Sequence, residues 1–315
     1  MALENSLTDP RQLVLLYGTT PPRASTPPDR IHGAASRLAE RVANLPLDGL
    51  VVYDVQDESG RTAEPRPFPF LPTIDPPSYA TLLRQLTGRP TVTYKCIVSE
   101  TEASWPGWLD AASERHGVQY LSLVGLSSSK EARSSIALSR AIEIAAGHPA
   151  GFVLGGVTIA ERHSPERSES RRLIQKAERG CRYFISQAVY DPAATVRLLS
   201  DYAHDCAELG HTPRRIVLDF VPVGREPTMH FMRWLGIAIP DATAHAILSD
   251  AAPLSRSIAV CSDTLRRILD HPYIERIPLG ICVESVSINK DEIAASIELA
   301  AALRDVACSC GMHVS

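Results

Sequence analysis

The chain has 315 residues, 44% apolar and 22% charged, a composition ordinary for a soluble globular protein. A net charge of −4 without any long Lys/Arg run excludes electrostatic capture of nucleic acid or of an anionic membrane as the basis of function. No apolar stretch approaches the ~18 residues of a membrane-spanning helix, residues 1–11 lack a secretion-signal pattern, and seven scattered cysteines, an odd number, predict a cytoplasmic protein without a disulfide framework.

Along the chain, short runs rich in Val, Ile, Leu and Tyr occur at residues 13–17, 49–54, 91–97, 119–124, 151–158, 183–188, 215–220 and 279–284. Each is followed by a segment of helical pattern. Runs that are apolar throughout predict strands buried on both faces, as in parallel sheets. Strict strand–helix alternation predicts right-handed crossovers, and eight units predict closure into an α/β fold of the (β/α)8, or TIM, barrel type, a single domain over residues 1–315. An open dinucleotide-binding sheet is disfavoured, because no G-x-G-x-x-G follows the first strand.

Residues that follow the C-terminal end of a barrel strand face the mouth where such barrels carry their chemistry. After the second strand come Asp54, Asp57 and Glu58, then a connection at about 55–77 with Pro65, Pro67, Pro69, Pro72, Pro76 and Pro77 around Phe68 and Phe70. Aromatics between prolines offer apolar area at low entropy cost, so this loop is predicted to form an ordered flap over the mouth. Lys95 lies inside the third strand, where a lysine needs a carboxylate partner; it is read as an inward substrate contact, with a strand-end lysine reaching solvent as the alternative. Glu161 and His163 follow the fifth strand, Gln187 ends the sixth, Asp219 lies near the end of the seventh and Glu284 ends the eighth. Asp191-Pro192 reads as the N-cap and first position of a helix that stops at Gly210. A helical insertion is predicted at about 226–272, and a closing helix at 290–304. Cys308, Cys310 and His313 lie close together near the C-terminus but have no second ligand pair at zinc-site spacing, so no metal is expected.

The segment GGVTIAERHSPERSESRRLIQKAERGCRYFISQAVYD, from Gly155 to Asp191, resembles the central signature of the methylenetetrahydrofolate reductase superfamily. Pro21-Pro22-Arg23 after the first strand and PLGICVESVSINKDEI, with Asn289, at the last are similar to the ends of that barrel. The resemblance implies a tetrahydrofolate derivative as substrate, NAD(P)H as hydride source and FAD as carrier. It implies Gln187 and Tyr190 as substrate contacts and His163, Arg172 and Lys176 as cofactor contacts. Two departures bear on chemistry. Gly18 stands where the family's first strand carries a Glu acid, and Gly125 is followed by Leu126, Ser127, Ser128 and Ser129 where the family has Gly-Asp. With Arg172 and Gln175 at neighbouring contact positions, a flavin-independent route stays open.

The candidate site is therefore Asp54, Glu161 and His163 as acid–base groups, Asp54 foremost as replacement for the missing acid, with Gln187, Lys95, Tyr190 and Glu284 as substrate contacts. Three functions fit these residues: reduction of 5,10-methylenetetrahydrofolate to 5-methyltetrahydrofolate, a non-reductive one-carbon transfer or demethylation on a bound folate, and a non-catalytic barrel that pairs with another enzyme. The expected partner is a small-molecule folate, with a homo-oligomer or a partner enzyme also compatible.

Overall fold

The computed structural model describes residues 3–9, 12–60, 62–125 and 135–314. Leu126, Ser127, Ser128 and Ser129, singled out above, lie outside the described residues. The strands are β1 (Gln12–Thr19), β2 (Gly49–Val52), β3 (Thr91–Cys96), β4 (Tyr120–Val124), β5 (Val153–Thr158), β6 (Cys181–Ala188), β7 (Arg215–Phe220), β8 (Leu279–Val283) and a short β9 (His313–Val314). The helices are α1 (Leu3–Thr8), α2 (Pro28–Val42), α3 (Pro76–Thr87), α4 (Trp105–Glu114), α5 (Leu138–Ala146), α6 (Glu169–Glu178), α7 (Pro192–Leu209), α8 (Glu226–Trp234), α9 (Asp241–Leu248), α10 (Pro253–Leu269) and α11 (Lys290–Ser309). Strands β1 to β8 pair in sequence order, all parallel, and β1 pairs with both β2 and β8, so the sheet closes on itself as a TIM barrel. The eight apolar runs all become strands, with ends displaced by at most two residues.

Two apolar layers follow from the two-residue period of a strand. Val14, Leu16, Val51, Val92, Tyr94, Val153, Tyr183, Ile185, Val217 and Cys282 fill the barrel interior. The alternate residues, among them Leu13, Leu15, Leu50, Leu121, Leu154, Phe184 and Leu218, pack outward against the helices. Gly155 is required inside: a Cβ there would lie 2.2 Å from the Tyr183 ring, whose hydroxyl accepts from Ser122 Oγ at 3.2 Å.

The N-terminal end of the barrel is sealed. Leu3 and Leu7 of α1 are buried in the inner layer, and Arg215, 1% exposed, donates to the carbonyls of Leu7, Asp9 and Leu279. Burial lowers this guanidinium to about 10, and it stays charged. The opposite end stays open to function. There, Asp191 accepts from the Ala193 and Ala194 amides and caps α7, as its sequence predicts. The insertion holds α8 and α9, and α10 completes the outer ring against α7 and α11.

Candidate active site at the barrel mouth

The C-terminal ends of the strands open onto a cavity of about 820 Å³, within the ~300–1,000 Å³ of small-molecule sites. Its two sides differ in charge. Asp54, Asp57 and Glu58, which follow β2, form an acidic side. Arg162 and Arg167 from the turn after β5, with Arg172 and Lys176 of α6 and Arg179 just past its end, form a basic one, in which Glu169 is the one acid. Cys96, Leu123, Val157, Leu138 and Ile142 supply apolar surface between them, and Gln187 reaches in from β6.

Of the nine candidate site residues, four meet here, Asp54, Arg172, Lys176 and Gln187, together with Asp57, Glu58, Phe70 and Gln175, which the sequence also singled out. Asp54 prolongs β2 by two residues. Its Oδ2 accepts from the Cys96 amide at 2.7 Å and its Oδ1 from Gln56 Nε2 at 2.7 Å. Burial raises its pKa, against these hydrogen bonds and the charge of Lys95. Lys176 donates from Nζ to the Val157 carbonyl at 2.7 Å and lies over the Phe184 ring; burial lowers its pKa. Gln187 donates from Nε2 to the Leu235 carbonyl at 2.9 Å, which leaves its buried Oε1 without a partner among the described residues. A buried amide oxygen in that state is poised to accept from a ligand.

The other candidates lie elsewhere. Lys95 has its carboxylate, but on the outside of the barrel. Val92 and Tyr94 belong to the inner layer and Cys96 lines the cavity, so strand parity turns Lys95 outward, to Glu100 Oε1 at 2.8 Å and over Trp108. The His163 side chain is 6% exposed and joins two helices: Nε2 meets Asp201 Oδ2 of α7 at 2.7 Å, and Nδ1 accepts from the Glu169 amide that opens α6. Glu161 is half-buried away from the cavity, where the Ala238 amide donates to it; burial raises its pKa. Tyr190, 2% exposed, has passed into the helical layer and donates to the Val221 carbonyl. Glu284 adjoins Asp219 and Tyr53 rather than the cavity wall.

The proline-rich segment is an ordered wall. The Pro72 carbonyl accepts from the Ala24 amide, the Ile74 amide donates to the Pro22 carbonyl, and Trp234 Nε1 of α8 donates to the Glu64 carbonyl at 3.1 Å. Arg66 lies over the rings of Phe70, Phe231 and Trp234 at 5.2–5.5 Å from their centroids, and Phe68 meets Phe231 edge-on. Phe70 faces the cavity. The prolines limit the segment's unfolded freedom, and the aromatics anchor it to α8.

No protein-family model and no curated protein matches this sequence. Among solved structures, an uncharacterized protein from Clostridium thermocellum that binds two copies of 5-methyl-5,6,7,8-tetrahydrofolic acid is 30% identical, with a TM-score of 0.81 over 95% of this chain and 97% of that one. The chain belongs to the family of that protein. No matched model or curated protein links this family to the reductases in particular, so that resemblance rests on the residues quoted above.

In this member of the family the mouth also holds a group that the sequence only hinted at. Asp219 on β7 and Glu284, one residue past β8, are neighbours: the Glu284 amide donates to the Phe220 carbonyl at 3.1 Å, continuing the strand pairing. Asp219 is 3% exposed. Glu284 keeps some exposed surface, and its carboxyl feels Tyr53, Asp219 and Cys282. Burial pushes both carboxyls well above the usual range, and Asp219 raises Glu284 further. Both acids were visible as strand-end residues; their partner Tyr53 was not, because nothing local marks a strand tyrosine as a mouth residue. Among the described residues no group of three or more His, Cys, Asp or Glu side chains is placed to hold a metal ion, and no helix is long and apolar enough to cross a membrane.

Proposed function

We propose that this barrel binds a reduced folate of the 5-methyltetrahydrofolate type at its C-terminal mouth and acts on its one-carbon unit. The observation that carries this reading is kinship with the Clostridium thermocellum protein over nearly the whole length of both chains. The cavity supports it chemically. A folate is a flat pterin with a mixed donor–acceptor edge joined to an anionic glutamate tail. Gln187 Oε1 and Asp54 supply acceptors for the pterin's N–H groups, Leu138 and Ile142 supply apolar surface, and Arg172, Lys176 and Arg179 supply cations for the tail.

Calorimetric titration with 5-methyltetrahydrofolate tests the reading. We expect saturable heat, and stabilisation of about 2.7 kcal/mol at a ligand concentration of 100 Kd. No heat and no shift in Tm would overturn it.

Within this reading, reduction of 5,10-methylenetetrahydrofolate is the first reaction to assay. In place of the folate tail, the same basic side would take the diphosphate of FAD or NAD(P)H, a cofactor whose ring would supply the hydride, with Arg172, Lys176 and Arg179 holding the diphosphate. Gly18, which puts no acid at the first-strand position, favours a non-reductive one-carbon reaction as the second reading. Mass-spectrometric detection of 5-methyltetrahydrofolate formed with NADH or NADPH, with and without FAD, separates the two. Product supports reduction; folate binding without product supports one-carbon transfer.

A further inference from the structure

Among the described residues that line the cavity, Phe70 is the one aromatic side chain; the other apolar ones, such as Val98, Leu123, Leu138 and Ile142, are aliphatic. It stands on the acidic side, in the connection that also supplies Asp57 and Glu58. Phe68, two residues earlier, is used differently: it packs edge-on against Phe231 of α8, 5.4 Å between centroids. Among the described residues no other aromatic ring packs on Phe70, which stays half-buried. A phenyl ring in that state has a π-face and apolar area still to cover.

The ring is held before any ligand arrives. Upstream, the Arg66 guanidinium lies over it at 5.5 Å from the centroid, and Arg66 Nε donates to the Phe68 carbonyl at 2.9 Å. The same guanidinium lies over Phe231 and Trp234, which ties the segment to α8. Downstream, Thr73 forms an antiparallel bridge with Arg23, and the Pro72 carbonyl accepts from the Ala24 amide at 2.8 Å. Pro69 and Pro72 fix two φ angles around the ring. An aromatic fixed at both ends takes a flat partner with little further ordering, which favours binding.

Charge decides which flat ring it takes. A folate has two: the pterin, with N–H donors along its edge, and the benzoyl ring, which carries the glutamate carboxylates through an amide. Asp54, Asp57 and Glu58 accept from N–H groups and repel carboxylates, whereas the cations of the opposite side attract them. With the benzoyl ring on Phe70, the tail would lie among these acids.

We infer that Phe70 stacks on the pterin and so sets which way round the folate lies, with the pterin against the proline-rich wall and the glutamate tail against α6. This deepens the folate reading above and rests on it.

The test is NMR of 5-methyltetrahydrofolate bound to the full chain, prepared once with ordinary and once with ring-deuterated phenylalanine. Phe70 is the one phenylalanine among the described residues lining the cavity, so the label reports on it. The expected result is a set of nuclear Overhauser contacts from protein ring protons to the C7 and N5-methyl protons of the ligand, lost on deuteration. In calorimetry, Phe70→Leu keeps apolar bulk but not the π-face and should raise the Kd about threefold to tenfold, while Phe70→Tyr should stay within about twofold of wild type. Contacts that fall on the benzoyl protons, or none that deuteration removes, overturn the inference and leave the folate reading standing. A Phe70→Leu protein that binds as tightly as wild type overturns it too, because the ring then only fills space. Failure of wild-type protein to bind the ligand removes the folate reading and the inference together. The deuteration experiment needs no variant, so it decides the question even where Phe70→Leu does not fold.

Discussion

Replacing Gly18 with alanine places one methyl group where Tyr53 and Glu284 already meet. The new carbon would lie 2.7 Å and 2.8 Å from the Tyr53 ring and hydroxyl and 2.9 Å from Glu284 Cβ, against resting carbon contacts of ~3.5–4.0 Å. Relief requires movements of about 1 Å from a ring packed edge-on against Tyr94, 4.8 Å between centroids, and from a Cβ fixed to the chain at the end of β8. Overpacking of this kind costs about 1–3 kcal/mol, and we expect that loss in urea unfolding with an unchanged m-value. In a Tyr53→Ala background two of the three close contacts disappear, so the same substitution should cost less, with a coupling of about 1 kcal/mol in a double-mutant cycle. Costs that add to within about 0.3 kcal/mol would show that Tyr53 does not hold this space, and its crowding would not explain why β1 lacks an acid. Gly18→Glu should destabilise more than Gly18→Ala and restore no acid to the mouth.

Lys95→Met strands the Glu100 carboxylate, whose side chain is 10% exposed, and should cost about 3 kcal/mol in urea unfolding at pH 7. Burial pushes the Glu100 pKa up, but Lys95 and Ser104 outweigh it and hold the carboxyl below its ordinary value. The stability this gives is present above about pH 4.3, the unfolded value, and is lost as pH falls through the lower folded value; Lys95→Met should abolish that loss. Asp219 has the opposite sign. Its folded pKa is raised by burial to about 7, so the folded state holds the proton more tightly and stability should fall as pH rises from ~3.9 towards 7. Asp219→Asn should flatten the Tm profile across that window, and a wild-type profile that climbs through it contradicts the buried pair. Gln187→Ala removes the unpartnered acceptor and should raise the Kd for 5-methyltetrahydrofolate about tenfold; an unchanged Kd in calorimetry would show that the pterin sits elsewhere.

Much of the fold was legible because its signals are local. A parallel strand buried on both faces is apolar at consecutive positions, and Asp191-Pro192 caps a helix with atoms that lie within three residues of each other. The site was legible in part. Asp54 and Gln187 end strands next to the mouth, and Arg172 and Lys176 share a helix face towards it. Lys95 was misdirected because a single strand does not declare which of its two faces turns inward. That parity is set by the register of the whole barrel, which puts Val92 and Tyr94 inside. Tyr190, two residues past β6, follows the chain into the outer layer rather than facing the cavity.

By itself the sequence determined eight strands in alternation with helices, a closed barrel and a set of polar residues at strand ends, because strand period, burial and capping act over a few residues. The tertiary structure alone decided which of those polar residues meet. It joined Glu284 to Asp219 across two strands, laid Tyr53 over Gly18 from 35 residues away in the chain, and turned His163 to Asp201. Such pairings depend on strand register and barrel closure, which bring distant residues to the same height on neighbouring strands, and no local pattern encodes that height.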